Sequence, residues 1–208
     1  MKSLKVFIIL TIIILFSYST LAQSVKIGPR ITGNFNIYNQ DGLTGSWNGI
    51  GVGFGGTVDM TFGKTIGIMT NLIMFDMRNF SNSQTQNNLT TEQSFTLSYL
   101  TITPMFKAEF SGFYMVAGPS FGIKLNSSGE KTQTVPGQPP NVIPVNIETN
   151  SLVFDIAVGT GYNFKLSSGI YLGSDVMVFI PISKTYDTPG LSNSIFTIKL
   201  GGSLKFQI

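Results

Sequence analysis

The chain has 208 residues, of which 11% are charged and 42% hydrophobic, with a formal net charge of +3 and neither His nor Cys. Ordinary soluble domains carry about 25% charged residues, so this composition makes a poor water-facing surface. The missing His and Cys also exclude the usual neutral-pH base, Ser-His or Cys-His nucleophile pairs and the common transition-metal ligands.

Lys2 and Lys5 precede the apolar run Val6–Phe16 and then SYSTLAQ. This order of charged, apolar and small-residue regions predicts a signal peptide over 1–22, cleaved after Ala22. The run falls short of the ~20 residues that span a bilayer as a helix. Removing Lys2 and Lys5 leaves 11 basic residues against 10 acidic. No basic tract suggests nucleic acid, and one domain is expected over 23–208.

From there the chain reads as eight alternating segments. The first, about 24–37, puts Val25, Ile27, Ile31 and Phe35 on one face and Lys26, Arg30, Thr32 and Asn34 on the other. The second, about 47–62, contains GIGVGFGG. Gly51, Gly53 and Gly56 match a dinucleotide-binding spacing, which requires a helix to follow. Here Val58, Met60 and Phe62 alternate with Thr57, Asp59 and Thr61, continuing one strand. No cofactor is therefore expected. The third segment, about 65–77, is apolar on both faces, and its orientation cannot be assigned. The others lie at about 94–109, 112–125, 150–166, 169–180 and 195–208.

The connections alternate in length. GK at 63–64, SG at 111–112 and SSG at 167–169 are tight turns. The stretches 38–46, 78–93, 126–149 and 181–194 read as long polar loops. Short turns at one end and long loops at the other mark an outer-membrane barrel. Strands closed into a ring also reconcile few charges with the lack of long apolar runs. The predicted fold is all-β, an eight-stranded antiparallel transmembrane up-and-down β-barrel. Phe62, Phe110, Phe113, Phe164, Tyr171 and Phe206 fall near the short-turn end, as an interfacial girdle would.

The face of Gly, Thr, Ser and Asn suits the lumen of a small barrel, which side chains fill. By parity it carries Lys26, Arg30, Lys107, Lys124, Lys165, Lys199 and Lys205 with Asp59, Asp155 and Asp175. A network that plugs the lumen is the first reading of these charges. A narrow, mildly anion-preferring path is the second. Asp175 is expected to pair with Lys199 or Lys205 on the neighbouring strand. Asp41, Asp76, Glu92, Glu130, Glu148 and Asp187 read as scattered, solvated acids, and no clustered metal ligands occur.

The segment YLTITPMFKAEFSGFYMVAGPSFGIKL (99–125) resembles small outer-membrane barrel proteins of Bacteroidetes-type bacteria. The resemblance is carried by Tyr99, Leu100, Pro104, Lys107, Phe113, Tyr114, Ala117, Gly118, Pro119 and Gly122, with GTGYNF at 159–164 and VKIGPRITGNFN at 25–36. Ile102 stands where that family usually has Glu. The resemblance implies a porin-like eight-stranded barrel, and some relatives act in secretion or gliding machinery. Outer-membrane lipid is the expected environment, and the four long loops are the expected contact surface for a protein or surface ligand. Alternatives are a small-solute channel and a secreted lipocalin-like carrier, the latter suggested by GSW at 45–47.

Overall fold

The computed structural model describes residues 24–42, 47–146, 148–186 and 192–208. The expected signal peptide lies outside them. The strands are β1 (Ser24–Gln40), β2 (Trp47–Phe62), β3 (Ile66–Gln86), β4 (Leu89–Phe110), β5 (Phe113–Thr134), β6 (Asn141–Val145), β7 (Leu152–Ser167), β8 (Ile170–Pro181) and β9 (Asn193–Gln207). All pairings are antiparallel. The ring runs β1-β2-β3-β4-β5-β7-β8-β9 and closes where β9 pairs with β1. This is the eight-stranded barrel, with β6 attached to β5 as an appendage. Closure satisfies every edge of the wall, which a bilayer demands. Both described ends meet at the short-turn end, where the Ile208 amide donates to the Val25 carbonyl at 3.0 Å.

The alternation has the expected sense. Lys199 is 2% exposed and Asp155 4%, whereas their neighbours Leu200 and Phe154 are 62% and 38% exposed. Charged groups therefore face the lumen, and an apolar belt faces outward. Phe110, Phe113, Phe164 and Phe206 are exposed toward the short-turn end, consistent with the girdle.

A bulge explains the unreadable third segment. On β3, Ile73 pairs with Thr101 but Asp76, not Phe75, pairs with Tyr99. One extra residue puts Met74 and Phe75 outward in succession and flips the phase. Before it Met69, Asn71 and Ile73 point inward; after it Asp76, Arg78 and Phe80 do.

Two expected loops are mostly strand. β3 and β4 continue through 78–93 to a two-residue turn at Asn87 and Asn88, whose φ values are 51° and 63°. Two successive positive φ angles make the tight hairpin turn that Asn tolerates. β5 likewise runs on to Thr134, and 141–145 folds back on it. Polar residues disguised these strands, because alternation between polar and polar leaves no hydrophobic period. The other connections shrink to 41–46 and 182–192; of these, 43–46 and 187–191 lie outside the described residues.

Candidate functional site

The lumen is crossed by side chains in stacked layers. At the short-turn end Asp59 accepts from Lys107 and from Lys205, the latter at 2.9 Å. Lys107 also donates to Glu109 at 2.6 Å and to Thr61 at 3.0 Å. Lys26 lies 3.7 Å from Glu109 and over the Tyr171 ring. Asn163 accepts from Lys205 at 3.0 Å.

Next, Arg30 on β1 grips Asp175 on β8 through two parallel bonds of 2.6 and 2.5 Å. The Tyr114 hydroxyl donates to the same carboxylate at 3.0 Å. The intervening strand β9 supplies Gly201, where a Cβ would collide with both the guanidinium and the carboxylate. Gly161 similarly leaves space for the Tyr114 ring. On β2 the glycines serve the wall as well. A Cβ on Gly49 or Gly51 would strike β3 carbonyls, so glycine permits close strand approach there. The GxGxxG spacing therefore belongs to a strand that no helix follows.

Toward the long-strand end, Asp76 receives Lys199 at 2.6 Å, Thr101 at 2.9 Å and Asn34 at 2.9 Å. Arg78 donates to Asp155 at 2.8 Å, with its Nε 3.6 Å from Asp76. Both pairs join strands three apart in an eight-strand ring, so they reach across the bore. Above them sits an aromatic layer: Tyr38 stacks on Phe80 at 4.7 Å, Trp47 on Phe95 at 5.7 Å, and Tyr186 meets Tyr38 edge-on. Met69, Met105 and Met177 line an apolar patch deeper inside.

Several expectations are corrected by this arrangement. Asp175 pairs with Arg30, two strands away, because Lys199 and Lys205 are drawn to Asp76 and Asp59. Asp76 is fully buried at the centre of a cluster, and Arg78, expected in a loop, lies beside it. Lys165 is exposed at the rim and takes no part in the ion pairs among the described residues. Lys124 binds the Thr149 carbonyl at 2.6 Å. The described ion pairs join six basic to five acidic side chains, so each of these charges has an opposite partner and the excess of base is one. The interior is also more apolar than a lumen of glycine, hydroxyl and charge, because the outer mouth is aromatic. The bulge hid Asp76 and Arg78: only beyond it do even positions face inward.

Outside the ring, β3, β4, β5 and β6 form a four-stranded sheet. Among the described residues, β2 pairs with β3 as far as Asn48–Ser81 and β7 with β5 as far as Leu152–Ile123, while β4 and β5 pair on to Thr90–Thr134. Its surface carries Ser83, Gln84, Thr85 and Gln86, all exposed.

A family model described as outer membrane protein beta-barrel domain matches residues 16–186. No curated protein sequence matches the chain. Among solved structures, the chain is similar to Ail, the attachment invasion locus protein of Yersinia pestis, solved with the heparin analogue sucrose octasulfate. That match has 11% identity over 88% of this chain and 100% of that one, with a TM-score of 0.44. CarO2 of Acinetobacter baumannii matches at 10% identity over 89% and 100%, with a TM-score of 0.45. OprG of Pseudomonas aeruginosa matches at 10% identity over 90% and 96%, with a TM-score of 0.42.

Proposed function

We propose a non-enzymatic, surface-interaction role for this chain, which belongs to the outer membrane protein beta-barrel domain family and resides in the bacterial outer membrane. The barrel is the anchor, and the sheet built from β3 to β6 is the contact surface. The observation that carries this reading is that three strands of 21 or 22 residues outrun the rest of the wall. Some 9–11 residues suffice to cross a bilayer as a tilted strand, so the excess length projects beyond it. A rigid projection gives recognition a fixed geometry that a loose loop would not.

The crossed lumen argues against the channel reading. Salt bridges three strands apart, under an aromatic layer, leave the bore occupied by side chains. The lipocalin-like reading fails because the apolar face lies outside.

The test compares cells displaying the wild-type barrel with cells whose 82–93 and 130–146 are each replaced by a short Asn-Gly turn, which keeps the Ser81–Ser94 pair and the Phe80 layer. Adhesion is measured on panels of immobilised polysaccharides and proteins. Wild-type cells should adhere to at least one surface that the variant does not recognise. Equal adhesion across the panel, with steady conductance of the purified protein in planar bilayers, overturns the proposal in favour of a channel.

A further inference from the structure

Closure pairs every strand of the ring, but the seam between β4 and β5 carries a gap within it. Its register runs from Phe110–Phe113 to Phe106–Ala117 and resumes in the same phase at Ile102–Phe121. Pro104 therefore stands directly opposite Pro119. Phe110 and Phe113 flank a two-residue turn, so they exchange both bonds with each other. Alternation makes Phe106–Ala117, Pro104–Pro119 and Ile102–Phe121 hydrogen-bonded positions too. Proline has no N–H, so both bonds of the central pair are missing. From Ile102–Phe121 to Phe106–Ala117 the seam has no backbone bond, over about 13 Å of strand. The Pro104 and Pro119 carbonyls face each other there with no donor between them, and a bilayer supplies no water to either. Proline in a sheet is otherwise confined to edges, strand starts and bulges.

The strands are joined across the gap by a side-chain bond on the lumen side, between the Thr103 and Ser120 hydroxyls at 3.0 Å. On the outside, Ile68, Pro104, Met105, Phe106 and Pro119 line a hollow of ≈ 230 Å³. Met105 is 2% exposed and faces the lumen, so the hollow reaches the inner layer of the wall. Gly118, opposite Met105, puts no side chain over the gap; a Cβ there would lie 2.2 Å from the Pro104 carbonyl oxygen. Behind the seam Met69, Met105, Val116, Ala157, Met177 and Phe179 pack as an uncharged, apolar layer. Methionine adapts readily to a new neighbour, because its chain is unbranched and turns about three bonds. On a strand tilted at ~45°, Pro104 lies about 14 Å above Phe110 of the girdle along the membrane normal. That is close to the middle of a hydrocarbon core ~30 Å thick, where lipid tails end.

We infer that the β4–β5 seam at Pro104 and Pro119 is a lateral opening in the barrel wall, where the end of one acyl chain from the bilayer seats against the methionine layer. Position names the occupant. The hollow is continuous with the lipid-facing belt, has an apolar lining, and lies at the depth of the chain ends. Parting the seam there breaks the Thr103–Ser120 bond and no ladder bond. The chain goes no further, since ion pairs and the aromatic layer occupy the rest of the bore. This seat lies on the membrane face of the anchor and does not depend on what the projecting sheet contacts.

A fatty acid with a terminal diazirine is photolysed with the wild-type protein in nanodiscs, and the insertion sites are mapped by mass spectrometry. Insertion is expected at Met105 and Met177, which face the lumen, as well as at the outward Ile68 and Phe106. The double variant Pro104→Val/Pro119→Val restores both N–H donors. It should lower insertion at the two methionines roughly tenfold relative to Leu200 on the opposite wall, the effect of two ladder bonds regained. Thr103→Ala/Ser120→Ala removes the bond across the gap and should keep insertion at the methionines at or above the wild-type level. Each variant is first shown to be folded by its anomalous migration in unboiled gels. Insertion confined to outward residues in the wild type overturns the opening, whatever the variants do. Equal insertion at the methionines in the wild type and the valine variant overturns it as well, and so does its loss in the alanine variant.

Discussion

Arg30 and Asp175 meet in a two-bond ion pair through the space that Gly201 leaves on the strand between them. Both side chains are essentially buried, at 1% and 0% exposure. Removing one partner strands the other charge, which costs about 3–5 kcal/mol. Arg30→Ala and Asp175→Asn should each lower the urea midpoint of the detergent-solubilised barrel by a corresponding amount. The double variant Arg30→Met/Asp175→Leu should recover much of that loss. Additive losses would show that the two groups do not interact.

Gly201→Ala should reproduce most of the loss seen with Arg30→Ala, although it deletes nothing. The new methyl group occupies the place of the ion pair, which must open. Gly202→Ala is the control, since the nearest atom to a Cβ there is Ile31 Cγ1 at 3.8 Å. Equal stabilities for the two variants would contradict the packing.

Trp47 is the only Trp in the chain, so its emission reports the outer mouth without labels. It is 7% exposed and stacked on Phe95. Emission should lie at short wavelength and resist quenching both by aqueous acrylamide and by brominated lipid tails, because the ring faces the lumen. Phe95→Ala should shift it toward longer wavelength. Quenching by brominated tails would place Trp47 on the lipid side.

Tyr186 lies in the β8–β9 connection, and burial pushes its phenol above the usual value. A raised folded-state value means that the neutral form is favoured by folding. Its contribution is complete below about pH 10, where the unfolded phenol titrates, and is lost as pH rises through the folded value. Alkaline unfolding should therefore steepen above about pH 10, and Tyr186→Phe should remove part of that slope. An unchanged slope would show that the phenol is not protected.

The ring of eight was legible in the sequence because hydrophobic alternation, tight Gly turns and few charges converge on it. The inward charges followed from parity alone: Lys26, Arg30, Asp59, Lys107, Asp155, Asp175, Lys199 and Lys205 are all buried. Their partners did not follow, since pairing across a bore depends on shear and side-chain reach, which a linear pattern does not encode. Asp76 and Arg78 were hidden by the Met74–Phe75 bulge, and the upper parts of β3 to β5 by their uniformly polar composition. The family match agrees with the resemblance carried by Tyr99–Leu125 in barrel type.

The cross-lumen pairs have a consequence for assembly order. Asp76 on β3 and Lys199 on β9 come together only when the last strand joins the first. Until then the growing sheet holds ionised groups without counter-ions on its concave side, which only solvent can accommodate. Expulsion of that solvent must coincide with sealing of the β1–β9 seam, so membrane insertion finishes in a single cooperative event at the seam.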